Sequence, residues 1–119
     1  MKILSIENED YLLRRVPITP SYIKPDGSIT SFAFNLKPNE DGISVDLERL
    51  TNHAAAILDA SRFKLIRINA GFIRNNINDG LDCTHDPQEG NYAHSLITSN
   101  NAVISKSKSR AMAANAEII

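Results

Sequence analysis

Cysteine is nearly absent from this chain. Cys83 stands alone among 119 residues, so no intrachain disulfide can form. A single thiol fits a reducing compartment, and a cytoplasmic location is the expectation. Charge of one sign is lacking too: 13 Lys and Arg against 14 Asp and Glu give a formal net charge of −1. A dedicated nucleic-acid binder carries a basic excess, so nucleic acid is not the expected partner. No run of about 18 apolar residues occurs, which excludes a membrane-spanning helix. The opening MKILSIENED turns acidic within a few residues and does not read as a signal peptide. No glycine-rich phosphate loop is present.

What is there is an ordinary globular composition, 42% hydrophobic and 23% charged. It suits one domain over residues 1–119, burying roughly two thirds of its unfolded surface. Tyr11 to Val16 is a first strand, stopped by Pro17 and Pro20. Lys24-Pro25-Asp26-Gly27 is a turn, since Pro fixes its own φ and Gly accepts a positive one. Ser28 to Phe34 reads as a half-buried strand with Phe32 and Phe34 on one face. After the loop 37–42, Ile43-Ser44-Val45-Asp46 alternates as a short strand with Ser44 and Asp46 on its polar face. Leu50, Ala54, Ile57 and Leu58 are spaced as one helical face, predicting a helix over 47–60 with Asp46 as its cap. Phe63 to Ile68 is a third strand, and Asn69 can cap a short helix over 70–76, ended by Asn78-Asp79-Gly80. An edge strand over 80–84, a loop over 85–91 and a last strand over 92–97 follow. A helix over 101–117 closes the chain, with Val103, Ala111, Met112 and Ala114 as inner positions. This order is not regular βαβ alternation. It predicts an α+β domain: a small mixed or mainly antiparallel sheet with one central helix, a short helix and a C-terminal helix.

The densest polar cluster runs from Asp82 to His94. Structural zinc needs four ligands at tight spacing. One Cys and a wide His85–His94 gap do not supply them, so no metal and no cofactor is expected. Cys83 and His85 share a strand face, but Asp82 and Asp86 oppose a reactive thiolate, and Cys83 reads as a small buried apolar residue. His94 lies in an apolar strand and reads as a half-buried histidine bonded to a neighbouring loop, with ligand binding or acid–base work as the alternative. Arg14 and Arg15 must face opposite sides of the first strand. An arginine on a sheet face wants a carboxylate or phosphate, and Asp46 is the best internal candidate. Lys106 and Arg110, four apart, with Lys108 opposite, read as a solvated helix face. No aromatics interleave with them to stack bases.

Tyr11-Leu-Leu-Arg-Arg-Val, Lys24-Pro-Asp-Gly-Ser-Ile-Thr-Ser-Phe-Ala-Phe, Gly42-Ile-Ser-Val-Asp and His85-Asp-Pro-Gln-Glu-Gly-Asn-Tyr-Ala-His come in that order. Together they resemble a family of short uncharacterised bacterial proteins with an Arg-Arg first strand, an Asp-Gly hairpin, a Ser-Val-Asp strand and an Asn-x-Ala-His strand. The resemblance implies a free-standing bacterial domain and no particular activity. It draws Arg14, Arg15, Ser31, Ser44, Asp46, Asn91 and His94 together as one candidate site. Arg14 or Arg15, Thr30-Ser31 and Glu89 also loosely resemble the Arg, Ser-Thr-Ser strand and late Glu of ADP-ribosyl transferase-like enzymes.

The sequence fits two functions. One is a non-enzymatic module acting with a protein partner, such as part of a toxin–antitoxin or defence system, with edge pairing to a second copy as a route to a homodimer. The other is a small enzyme or nucleotide-binding protein. Its catalytic candidates are Arg14, Arg15, Asp46 and His94, and its binding candidates are Ser31, Ser44, Asn91 and His85.

Overall fold

Alternation along the strands is visible as alternating burial, most plainly at Ile43, Val45 and Leu47 and at Leu81, Cys83 and His85. In a computed structural model that describes residues 2–77 and 80–119, these segments pair into one six-stranded sheet. The strands are β1 (Tyr11–Pro17), β2 (Ile43–Leu47), β3 (Phe63–Asn69), β4 (Leu81–His85), β5 (His94–Ser99) and β6 (Glu117–Ile118). Their order is β4-β5-β2-β1-β3-β6, and every neighbouring pair is antiparallel. The architecture is α+β, with no parallel pair among the described residues.

Register sorts the side chains, because directly opposed residues share a face. Leu12 opposes both Leu47 and Ile68, Val45 opposes Ser95, and Cys83 opposes Ile97. These belong to the core face. It is covered by α2 (Ala70–Asn75), α3 (Lys106–Asn115) and a 3-10 turn at Ser31–Phe34. Ile73, Met112 and Phe34 come from these elements and are fully buried in the main core. Each such side chain contributes about 1.5–3 kcal/mol on leaving water. Ser109 Oγ donates to Phe34 O at 2.7 Å, tying α3 to the turn beneath it.

The other face carries Leu13, which opposes Asp46 and Arg67, Asp46, which opposes His94, and Arg15, which opposes Leu65. Among the described residues the short helix α1 (His53–Ile57) packs here, laying Ala56 and Ile57 on Leu13 and Leu65. The ion pairs and polar side chains of β2 and β5 lie beyond it.

Four expectations need correction. The predicted strand over 28–34 is a single bridge, Ile23 to Ile29, followed by the 3-10 turn. The Lys24–Gly27 turn does form, with Gly27 at φ +88 and its N–H on Lys24 O at 2.8 Å. Phe32 and Phe34 then point apart: Phe34 is buried and Phe32 is 59% exposed. The long helix over 47–60 does not exist. Leu47 is fully buried as the last residue of β2, and sheet pairing outweighs helical spacing there. After a 3-10 turn at Glu48–Leu50, Asn52, not Asp46, is the cap: its Oδ1 accepts from Ala55 N at 2.9 Å. Leu58, at φ +61, ends α1 after one turn. The last helix is shorter than 101–117. Ser105 caps it, Val103 and Ala114 are exposed, and Ile104, Ser109, Met112 and Ala113 face inward. The chain beyond it returns as β6. The strand over 92–97 is shifted to 94–99, since residues 88 and 91 form their own small bridge. The cap of α2 is as expected, Asn69 Oδ1 accepting from Phe72 N at 2.9 Å. Its predicted stop at Asn78 and Asp79 lies outside the described residues.

Candidate functional site

Six of the seven residues grouped from sequence meet at one cleft, five from the open face and Arg14 from the core face. Arg14, Arg15, Ser44, Asp46, Asn91 and His94, with Leu13 and Val45 beneath, line one cleft of about 90 Å³. Ser31 does not join them. It starts the 3-10 turn on the core side, so Thr30-Ser31 is not the strand an ADP-ribosyl transferase-like site requires. His85 does not join them either. It is 5% exposed on the core face. Its Nδ1 accepts from Leu4 N at 2.9 Å and its Nε2 donates to Tyr92 O at 2.6 Å. A ring nitrogen facing an N–H must be bare, so His85 is held as the neutral Nε2–H tautomer.

The cleft exists because β1 and β2 pair only at Leu12–Leu47 and Leu13–Asp46. Beyond that point the Ser44 carbonyl has no strand N–H to meet. Arg14 fills the gap, although its position places it on the core face. Its Nη1 donates to Ser44 O at 2.8 Å and its Nε to Ala33 O at 2.9 Å. Burial pulls the Arg14 guanidinium below its ordinary value, Glu40 and Tyr22 push it back up, and neighbouring Arg15 works against them. The group stays charged, since arginine does not deprotonate in proteins. Arg15 is exposed, donates from Nη1 to Ala56 O at 3.0 Å and lies 5.5 Å from the Phe63 ring centre.

The expected Arg14–Asp46 or Arg15–Asp46 ion pair is not formed. Among the described residues neither arginine has a carboxylate within 4.0 Å. Asp46 is instead held by Asn91, whose Nδ2 donates to Oδ1 at 2.9 Å. Nη2 of Arg14 and Nε and Nη2 of Arg15 meet no protein acceptor among the described residues.

Loop 86–93 builds the far wall. Gln88 and Asn91 exchange backbone hydrogen bonds of 3.1 and 2.9 Å, and Asp86 N donates to His94 O at 2.9 Å. The loop is therefore clamped to the strand it precedes. His94 is half-buried, with Nδ1 2.9 Å from Asp86 O and 3.2 Å from Asp86 Oδ2. Its Nε2 lies 3.3 Å from Ser44 Oγ. A nitrogen against a carbonyl must carry the hydrogen, so His94 Nδ1 is protonated, and in the neutral ring Nε2 accepts from the serine hydroxyl. Asp86 was visible in sequence only as one acid of a polar cluster. Its position behind His94 comes from the loop folding back, which spacing alone does not encode.

Volume does not select this site. A larger groove of about 610 Å³ lies between the Lys24–Gly27 turn and α3, but Lys24, Arg110 and Glu117 are its only charged lining. It holds no nucleophile–base pair. The small cleft shares Arg15, Asp46 and Asn91 with a groove of about 550 Å³ running past α1 and Tyr92. Among the described residues no group of three or more His, Cys, Asp or Glu is placed to hold a metal. No protein-family model, curated protein or solved structure matches the chain.

Proposed function

We propose that the open sheet face binds a small ligand bearing a phosphate or carboxylate, as the working site of a small enzyme or nucleotide-binding protein. One observation carries this reading: two adjacent guanidiniums line one cleft, with no carboxylate among the described residues in ion-pair range. Their unspent N–H groups suit an oxyanion, which arginine meets with its planar fork of donors. Asp46 lines the same cleft, so its fixed lining charge is two positive against one negative. The 90 Å³ space takes a headgroup, and the adjoining 550 Å³ groove takes the rest of a larger molecule.

Thermal shift with inorganic phosphate, citrate, AMP and ADP tests this. At least one of them raises Tm in proportion to the logarithm of its concentration, and Arg15→Gln removes the effect. If no anion shifts Tm, or if Arg15→Gln leaves the shift intact, the reading fails.

A protein-partner reading has a separate observation in its favour. The outer strand β6 has two residues, and Ile118 and the following Ile119 are 37% and 41% exposed. An unpaired edge of this kind accepts a strand from another chain. Light scattering decides: a dimer that Ile118→Pro returns to monomer supports it, and a monomer at all concentrations rejects edge pairing.

A further inference from the structure

We infer that Ser44, His94 and Asp86 form a proton relay that makes Ser44 a nucleophile toward carboxylic esters carrying an anionic group. Ser44 Oγ sits 3.3 Å from His94 Nε2, and Asp86 Oδ2 sits 3.2 Å from His94 Nδ1. Nucleophile, base and orienting acid thus stand in the order that acyl transfer by a serine requires, and such contacts are commonly loose before substrate binds. The neutral ring has the required tautomer: Asp86 O fixes the proton on Nδ1, so the Nε2 lone pair of the neutral imidazole is aimed at the hydroxyl. Ser44 is exposed on a regular strand, so an ester can reach Oγ. The anionic group rests on the ligand reading above; the relay does not.

Ser44 Oγ bonds to the ester carbonyl carbon while His94 Nε2 takes the hydroxyl proton. The carbonyl oxygen gains negative charge in a cleft that Arg14 and Arg15 also line, where a fixed positive group stabilises it. The carbon–alkoxide bond then breaks, and the departing oxygen takes the proton from His94. Water attacks the acyl-serine, gives its proton to Nε2, and Ser44 regains it as the acid leaves. The sum is ester plus water giving acid plus alcohol.

An alkyl fluorophosphonate tests the relay without knowledge of the substrate. Ser44 Oγ would displace fluoride at phosphorus, and intact mass with peptide mapping reads the adduct. The expected result is labelling at Ser44 in the wild type, none in Ser44→Ala, and a rate lowered about a hundredfold or more in His94→Gln, each variant still unfolding cooperatively. Asp86 acts through His94 as a positioning residue. In Asp86→Asn, labelling slows while the ¹⁵N imidazole spectrum still shows His94 as Nδ1–H, held by the remaining carbonyl. No adduct, an adduct elsewhere, or equal rates in wild type and His94→Gln overturns the proposal. Inorganic phosphate separates the two readings. His94-dependent labelling that phosphate does not slow keeps the nucleophile and removes the anion site. A phosphate-induced, Arg15-dependent Tm shift without labelling does the reverse.

Discussion

Two histidines nine residues apart in the chain, His85 at the end of β4 and His94 at the start of β5, sit on opposite faces of one sheet, His85 with a bare Nδ1 and His94 with a protonated one. On the core face, His85 spends both ring nitrogens on backbone groups, Leu4 N–H and Tyr92 O, and joins the N-terminal segment to the sheet. On the open face, His94 spends one nitrogen on Asp86 and keeps the other for a side-chain hydroxyl in a cleft. The same side chain is structural where its partners are backbone and its surroundings dry. On the open face it keeps a side-chain partner, the exposed Ser44 hydroxyl. The sheet as a whole repeats this contrast: one face is packed by two helices and a turn, the other by a single helical turn.

The largest expected effect breaks the contrast in stability. Leu12 is fully buried on the core face, and Leu12→Ala should cost about 2–5 kcal/mol, the range for a leucine cavity. Ser44→Ala on the open face should stay within about 0.5 kcal/mol. Urea unfolding of both variants measures the difference. Comparable losses would mean that the open face is packed as the core is.

Cys83 sharpens the same contrast chemically. It shares the core face with His85 and is 2% exposed. Burial pushes its thiol up to about 12, with Asp82 adding to the rise and Arg74 opposing it. Relative to an ordinary thiol at 9.0 the thiolate is then about a thousandfold scarcer at any pH below that value. The folded protein should resist a thiol reagent at pH 8 by at least that factor against the urea-unfolded chain. Labelling of the folded protein at the unfolded rate would show that this face opens.

The site was legible where strand parity alone decides it. Ser44 and Asp46 alternate with Ile43 and Val45, and pairing of the first strand beside them brings Arg15 to the same face. Leu81, Cys83 and His85 likewise alternate with Asp82 and Thr84, so His85 could be read as inward. Polarity misleads in β5, where burial alternates but Ser95 is fully buried and Leu96 is not. The Ser95 hydroxyl donates to Ala93 O at 3.0 Å, and that local bond allows a polar group inside. Long-range choices were not legible. The 3-10 turn at Ser31–Phe34 is selected by Arg14 and Ser109, which claim the Ala33 and Phe34 carbonyls from distant elements. The shortened α1 reflects Leu47 being taken by the sheet. Asp86 reaches His94 through a loop whose closure depends on the Gln88–Asn91 bridge.

Exchanging the histidines' roles gives a smaller effect. His85→Ala strands the Leu4 N–H and the Tyr92 carbonyl, and leaving such groups unpaired costs about 1–3 kcal/mol. Amide exchange should rise first in residues 2–6, because Leu4 N loses its acceptor there. His94→Gln should cost less than His85→Ala. If the order is reversed, the assignment of His85 to structure and His94 to the cleft is wrong.

The smallest effect tests the open face's own electrostatics. Glu48 follows β2 and accepts from Arg67 Nη2 at 2.9 Å and Nε at 3.2 Å, with His53 Nε2 3.1 Å from its other oxygen. Burial alone would push this carboxyl up, but the bonds from His53 and Arg67 outweigh it and hold the group below its ordinary 4.5. A carboxyl depressed in the folded state adds stability above its unfolded value and loses it as pH falls through the folded one. Solvent screens this pair, so the gain is under about 1 kcal/mol. The stability difference between wild type and Glu48→Gln should therefore be present at pH 7 and shrink as pH drops below 4.5. A difference that persists unchanged at pH 3 would assign it to packing against Arg67 rather than to charge. The open face would then owe its order to shape, as the core face does.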